Sequence, residues 1–128
     1  MPSSHPSILL TLNHILAVEE FWYAVISETP QVSQRYVQQN PEYNEVFAHL
    51  LPQSRLLTEY ISALSDADLL KEIALDMPWV KGVLSRYEFI QHLFNHSTYH
   101  RGQIVTMARN FGLTDPPSTD YMKYVRLR

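Results

Sequence analysis

Ser85 to Gly112 reads SRYEFIQHLFNHSTYHRGQIVTMARNFG, and the spacing within it decides the fold class. Phe89, Ile90, Leu93, Phe94, Ile104, Met107, Ala108 and Phe111 gather on one side when residues are laid out at about 100° each. Ser85 is a natural N-cap, Glu88 three residues on completes a capping-box pattern, and Gly112 falls where a C′ glycine belongs. One long helix is predicted from Ser85 to Phe111.

Working outward, the same period recurs. Ile8, Leu12, Ile15, Leu16, Glu19, Trp22, Tyr23 and Ile26 share a face, which predicts a helix from about Ser7 to Ile26, closed by Thr29-Pro30. Val18, Phe21 and Val25 widen its apolar surface towards His14, so other helices should cover most of it. Gln31 to Tyr43 is polar. A further helix is expected from about Glu45 to Leu64, with Leu56, Leu57, Tyr60, Ile61 and Leu64 in phase. Pro52 either kinks this helix or stands near the start of its main body. Ser65-Asp66-Ala67-Asp68 suggests a stop and a short restart. Lys71 to Gly82 reads as irregular or briefly extended, and the segment after Gly112 as extended or irregular. With only three glycines in the chain and little β-branched alternation, an all-α helical bundle of three long helices plus short segments is expected, in a single domain over residues 1–128.

Composition narrows the function. The chain has 128 residues, 45% of them hydrophobic and 18% charged, enough for one domain with a buried core. The apolar runs stay short of eighteen residues, so no membrane span is expected. MPSSHPS lacks the positive start of a secretory signal, and a cytoplasmic protein is expected. The net charge of −3 makes nucleic acid a poor partner, because such binding rests on neutralising phosphates. Cysteine is absent, which excludes disulfides, thiolate nucleophiles and cysteine-based zinc sites. Any metal must be held by histidine and carboxylate.

His92, His96 and His100 are spaced four apart. Adjacent members project from one helix face and can share an ion, whereas the two ends stand about 12 Å apart along the axis. His100 lies just inside the apolar sector, His96 about 40° further out and His92 about 40° beyond that. His96 and His100 are therefore the pair expected to face the interior, with His92 at the rim. A third ligand is usual. His14, bordered by apolar residues on the first helix, is the best candidate, ahead of His49 near Pro52 and His5 near the start. A histidine beside apolar residues is more often a structural side chain than a ligand, and that reading stays open here. Glu19 sits on an apolar face, where it either faces a substrate or ligand, with a base as one role open to it, or reaches the rim or pairs with an arginine. Arg101, off the histidine face, suits a structural ion pair. Trp22, Tyr23, Trp79 and Tyr99 suit core or pocket walls.

HLFNHSTYHRGQI (His92 to Ile104) resembles the signature of the DinB family of metalloproteins. LLTLNHILAVEEFW (Leu9 to Trp22), ISALSDADL (Ile61 to Leu69) and STDYMKYVR (Ser118 to Arg126) are similar to other stretches of that family. The resemblance implies an up-down-down-up four-helix bundle, a metal triad on His14, His96 and His100, and a divalent ion, variously zinc, nickel or iron, with zinc or nickel favoured. It also implies thiol-cofactor-dependent S-transferase or metal-dependent hydrolase chemistry on a small molecule, and a role in stress response. With no cysteine in the chain, any thiol must be a low-molecular-weight one. Family members usually carry another helix before the His14 helix. Its absence here leads to the expectation of a homodimer, with the His14 helix as the seam. The competing reading is an inactive helical interaction module.

Overall fold

Ser7 starts the first helix. Its Oγ accepts the Leu10 amide at 3.0 Å, satisfying one of the free donors at a helix N-terminus, and α1 then runs Ile8–Ile26. The computed structural model describes residues 7–29, 42–78, 80–116, Met122 and Val125. The expectations for His5, Trp79, most of Gln31 to Tyr43 and most of Ser118 to Arg126 fall outside these residues. α1 ends in a Schellman turn, with the Thr29 amide on the Ala24 carbonyl at 3.0 Å and the Glu28 amide on Val25 at 3.2 Å. Glu28 occupies the left-handed position at φ 56°, where glycine is the easier residue. Its carboxylate is held by Lys71 Nζ at 2.7 Å and Arg86 Nη2 at 3.2 Å.

α2 spans Tyr43–Ser62 and contains Pro52 within it, so the proline is an interior residue of one continuous helix. The expected restart is α3, Asp66–Leu70, with a full capping box between Ser65 and Asp68. The segment expected to be irregular or briefly extended is an antiparallel hairpin. β1 is Glu72–Met77, β2 is Val80–Ser85, and Ile73 pairs with Leu84 and Leu75 with Gly82. β1 carries the alternation of a half-buried strand, with Ile73 and Leu75 inward and Glu72, Ala74 and Asp76 outward. α4, Arg86–Asn110, begins at the Ser85–Glu88 capping box, and Gly112 lies beyond its end at φ 99°.

α1 lies between α2 and α4. It runs parallel to α2, since Glu19 meets Ser54 and Ile26 meets Tyr60. It runs antiparallel to α4, since Ile26 meets Arg86 and His14 meets His96. Trp22, Ile26, Leu57, Ile73, Leu75, Phe89, Ile90 and Leu93 form the core, with Trp22 stacked on Phe89 at 5.6 Å. The hairpin closes the core from the α1 side. The fold is thus the expected all-α bundle with a small hairpin added. α1 is long and apolar enough to cross a membrane by length and composition alone, although polar residues interrupt it. Its packing between two helices and a hairpin accounts for the same composition.

α1, expected as the seam of a homodimer, is covered in part by its neighbours within the chain. No residue of α1 is exposed. Exposed apolar side chains lie on α2 (Tyr43, Phe47, Leu51, Leu56), on α4 (Tyr87, Phe94, Tyr99) and on β2 (Val80, Val83, Leu84), among others.

Arg86 ties the elements together from a buried position. Nε donates to the Ile26 carbonyl at 2.7 Å, Nη1 to the Asp68 carbonyl at 2.5 Å, and the Arg86 amide donates to the Lys71 carbonyl at 2.8 Å. Replacing Arg86 with Leu strips the two carbonyls of charged donors. It should destabilise the fold by about 3 kcal/mol, measured by urea unfolding; a loss below about 1 kcal/mol would show that water replaces the guanidinium.

Candidate metal centre

The capped start of α1 places His14 in its second turn, and the α1–α4 packing turns it towards the middle of α4. There His96 and His100 project one turn apart. The Nε2 atoms of His14 and His96 are 3.2 Å apart, and those of His100 and His96 are also 3.2 Å apart. One ligand nitrogen from each of the three rings lies within 4.8 Å of the others. His100 is buried, and His14 and His96 are half-buried.

These contacts test whether an ion suits the cluster. An sp² ring nitrogen has one in-plane lobe, holding either a proton or a lone pair. His96 Nε2 has two close ring nitrogens, and one lobe cannot make a well-aligned hydrogen bond to both. Ligand nitrogens about 2.1 Å from a tetrahedral ion stand about 3.4 Å apart. The observed separations match that spacing, so the three rings could hold one divalent ion.

His100 has a defined orientation. Its Nδ1 is 2.7 Å from Gln103 Oε1, an amide orientation in which the oxygen accepts and the ring proton belongs on Nδ1. Gln103 Nε2 in turn donates to the Tyr99 hydroxyl at 3.1 Å. Gln103 falls within the His92 to Ile104 signature without an assigned role, and its place three residues after His100 puts it about one turn along the same helix. Tyr99, expected as a wall, is 62% exposed.

The other candidates fall elsewhere. His92 is exposed, its ring against Trp22 at 5.0 Å and 6.3 Å from that of His96. His49 is exposed on α2. Glu19 is buried at 3% exposure and accepts the Ser54 hydroxyl at 2.9 Å. Burial pushes its carboxyl above the ordinary value, opposed by the Ser54 bond and the charge of Arg101. Arg101 itself is exposed.

The fold and the site together define an all-α bundle with a histidine cluster suited to a metal ion. The DinB family profile matches residues 2–128. The protein called "Protein DinB" of Bacillus subtilis (strain 168) is 30% identical over 133 residues, an alignment spanning 96% of this chain and 74% of that protein. The crystal structure of a DinB-like protein of Bacillus subtilis, YjoA, shares the fold with a TM-score of 0.66 at 19% identity, over 92% of this chain and 78% of that one. The chain belongs to the DinB family.

Glu19 gives a pH test. The unfolded chain releases this proton near 4.5, whereas the folded protein holds it to higher pH. Unfolding therefore becomes easier as pH rises from the ordinary value to the raised one. Glu19→Gln keeps an acceptor for Ser54 and lacks the titration. Its stability relative to wild type should increase across that window, measured by urea unfolding at a series of pH values. A difference independent of pH would contradict the assignment.

Proposed function

We propose that this protein is a divalent-metal-dependent enzyme acting on a small molecule, with His14, His96 and His100 as the ligands. The convergence of three Nε2 atoms, with two separations of 3.2 Å, carries the reading. Three neutral imidazoles leave coordination positions for a water or a substrate atom, and zinc or nickel suits an all-nitrogen set. When bound, the ion supplies Lewis-acid activation of a water or a small-molecule thiol. This favours S-transferase or hydrolase chemistry. The polypeptide has no thiol to compete for the ion, since it lacks cysteine. The rings do the orienting: His100 is fixed through Gln103, and His14 brings the third nitrogen from a separate helix.

Untagged protein dialysed against zinc or nickel and analysed for metal should hold about one ion per chain. His96→Ala and His14→Ala should lose most of it, and His92→Ala should keep it. A wild-type chain that takes up no zinc, nickel or iron would overturn the reading and favour the helical interaction module instead.

We further propose that the chain forms a homodimer through α2 and α4. Tyr43, Phe47 and Leu51 stand one helical turn apart on α2, and Tyr87 and Phe94 share a face of α4, all exposed. Leaving several such side chains in water forfeits about 1.5–3 kcal/mol each. Sedimentation velocity at micromolar concentration should show a dimer, and Leu51→Glu should shift it towards the monomer. A wild-type species of 14.9 kDa at all concentrations would contradict this.

A further inference from the structure

We infer that Gln103, backed by Tyr99, is a positioning residue that selects the metal-ready tautomer of His100. The inference rests on the metal-centre reading.

A neutral imidazole carries its proton on one nitrogen or the other, and the partner of the non-ligating nitrogen decides which. Gln103 Oε1 lies 2.7 Å from Nδ1; with that oxygen as acceptor the proton belongs on Nδ1 and the Nε2 lone pair faces the cluster. Rotating the Gln103 amide by half a turn would present its NH2 to Nδ1. The ring proton would then move to Nε2, between His100 and His96, where an ion has to enter. The orientation of one amide thus separates a receptive cluster from a blocked one.

Tyr99 bears on that orientation. Its hydroxyl oxygen accepts the Gln103 Nε2 proton at 3.1 Å, and its ring lies edge-on to His100 at 5.1 Å. The tyrosine is largely in water, so its own hydroxyl proton can be given to solvent, leaving the oxygen as the acceptor for Gln103. Tyr99, His100 and Gln103 lie within one turn of α4, and the arrangement needs no other element. Leaving Nδ1 without an acceptor, or placing a donor there, raises the cost of ion entry. Partners of this kind are worth 10- to 100-fold in metal affinity at other histidine sites.

The test is competition for zinc(II) and cobalt(II) against a chromophoric chelator at fixed pH. It compares wild type with Gln103→Leu, Gln103→Glu and Tyr99→Phe. Gln103→Leu should weaken binding about 10- to 100-fold. Gln103→Glu, whose carboxylate only accepts, should bind at least as tightly as wild type, and Tyr99→Phe should fall between wild type and Gln103→Leu. A second readout concerns the metal-free protein. Ring ¹⁵N shifts of His100 should report the Nδ1–H form in wild type and Gln103→Glu, and a shift towards Nε2–H in Gln103→Leu. Neither pattern follows from loss of packing, and the glutamate variant keeps the test decisive if the leucine variant folds poorly. Wild-type affinity in Gln103→Leu, with the tautomer unchanged, would overturn the role of Gln103 and leave the metal centre standing. Failure of the wild-type protein to bind either ion would remove both.

Discussion

The register of α1 against α4 is the constraint on which the rest of the structure depends. At one end Arg86 Nε is fastened to the Ile26 carbonyl; further along, Trp22 stacks on Phe89. From Ile26 back to His14 is about 18 Å of helix. The same distance along α4 from Arg86 ends at Thr98, between His96 and His100. A slip of one residue would carry His14 about 1.5 Å along and 100° around its axis, away from both partners. The tie at Arg86 and the meeting of the histidines are two ends of one alignment.

That alignment divides the bundle. Around the C-terminal half of α1 and the start of α4 the interior is mainly apolar, with Glu19 and Arg86 as its buried charged side chains; it is built from Trp22, Ile26, Leu57, Phe89, Ile90 and Leu93 and closed by Ile73 and Leu75 of the hairpin. Around the N-terminal half of α1 and the second half of α4 it admits polar groups, with Thr11, Asn13, Ser97 and His100 all buried. Burying such groups costs stability unless each finds a partner. The apolar half holds the helices in place, and the polar half uses that rigidity to bring together three imidazoles that have no reason to converge for packing alone.

Much of this was legible in the sequence because it rests on short-range signals. The Ser85–Glu88 box, Gly112, the Ser65 restart and the i, i+4 spacing of His96 and His100 are local features, and the helical wheel ranked His92 outside the pair. His14 came from the apolar character of its neighbours and from the family resemblance, since the pairing of two helices is not a local property. The hairpin was legible only as a brief extended stretch, although Ile73, Leu75 and Met77 alternate with polar or small residues. Pro78 and Gly82 read as breaks, and β2 is exposed along nearly its whole length, so it carries no burial pattern of its own. The expectation of an α1 seam came from the same limit. Much of the apolar surface of α1 packs against α2, α4 and the hairpin, and a wheel drawn for one helix cannot tell which of its faces are covered. Gln103 was invisible as a functional residue because a glutamine on a helix has no chemistry until its partner is known.

The most direct measurement of the central claim is X-ray absorption fine structure on the cobalt(II)-loaded protein. The account predicts three imidazole nitrogens at about 2.1 Å, with the outer-shell scattering of histidine rings, and the loss of one ring from that signal in His14→Ala. A first shell of oxygen alone, or a histidine signal unchanged by removing His14, would contradict it.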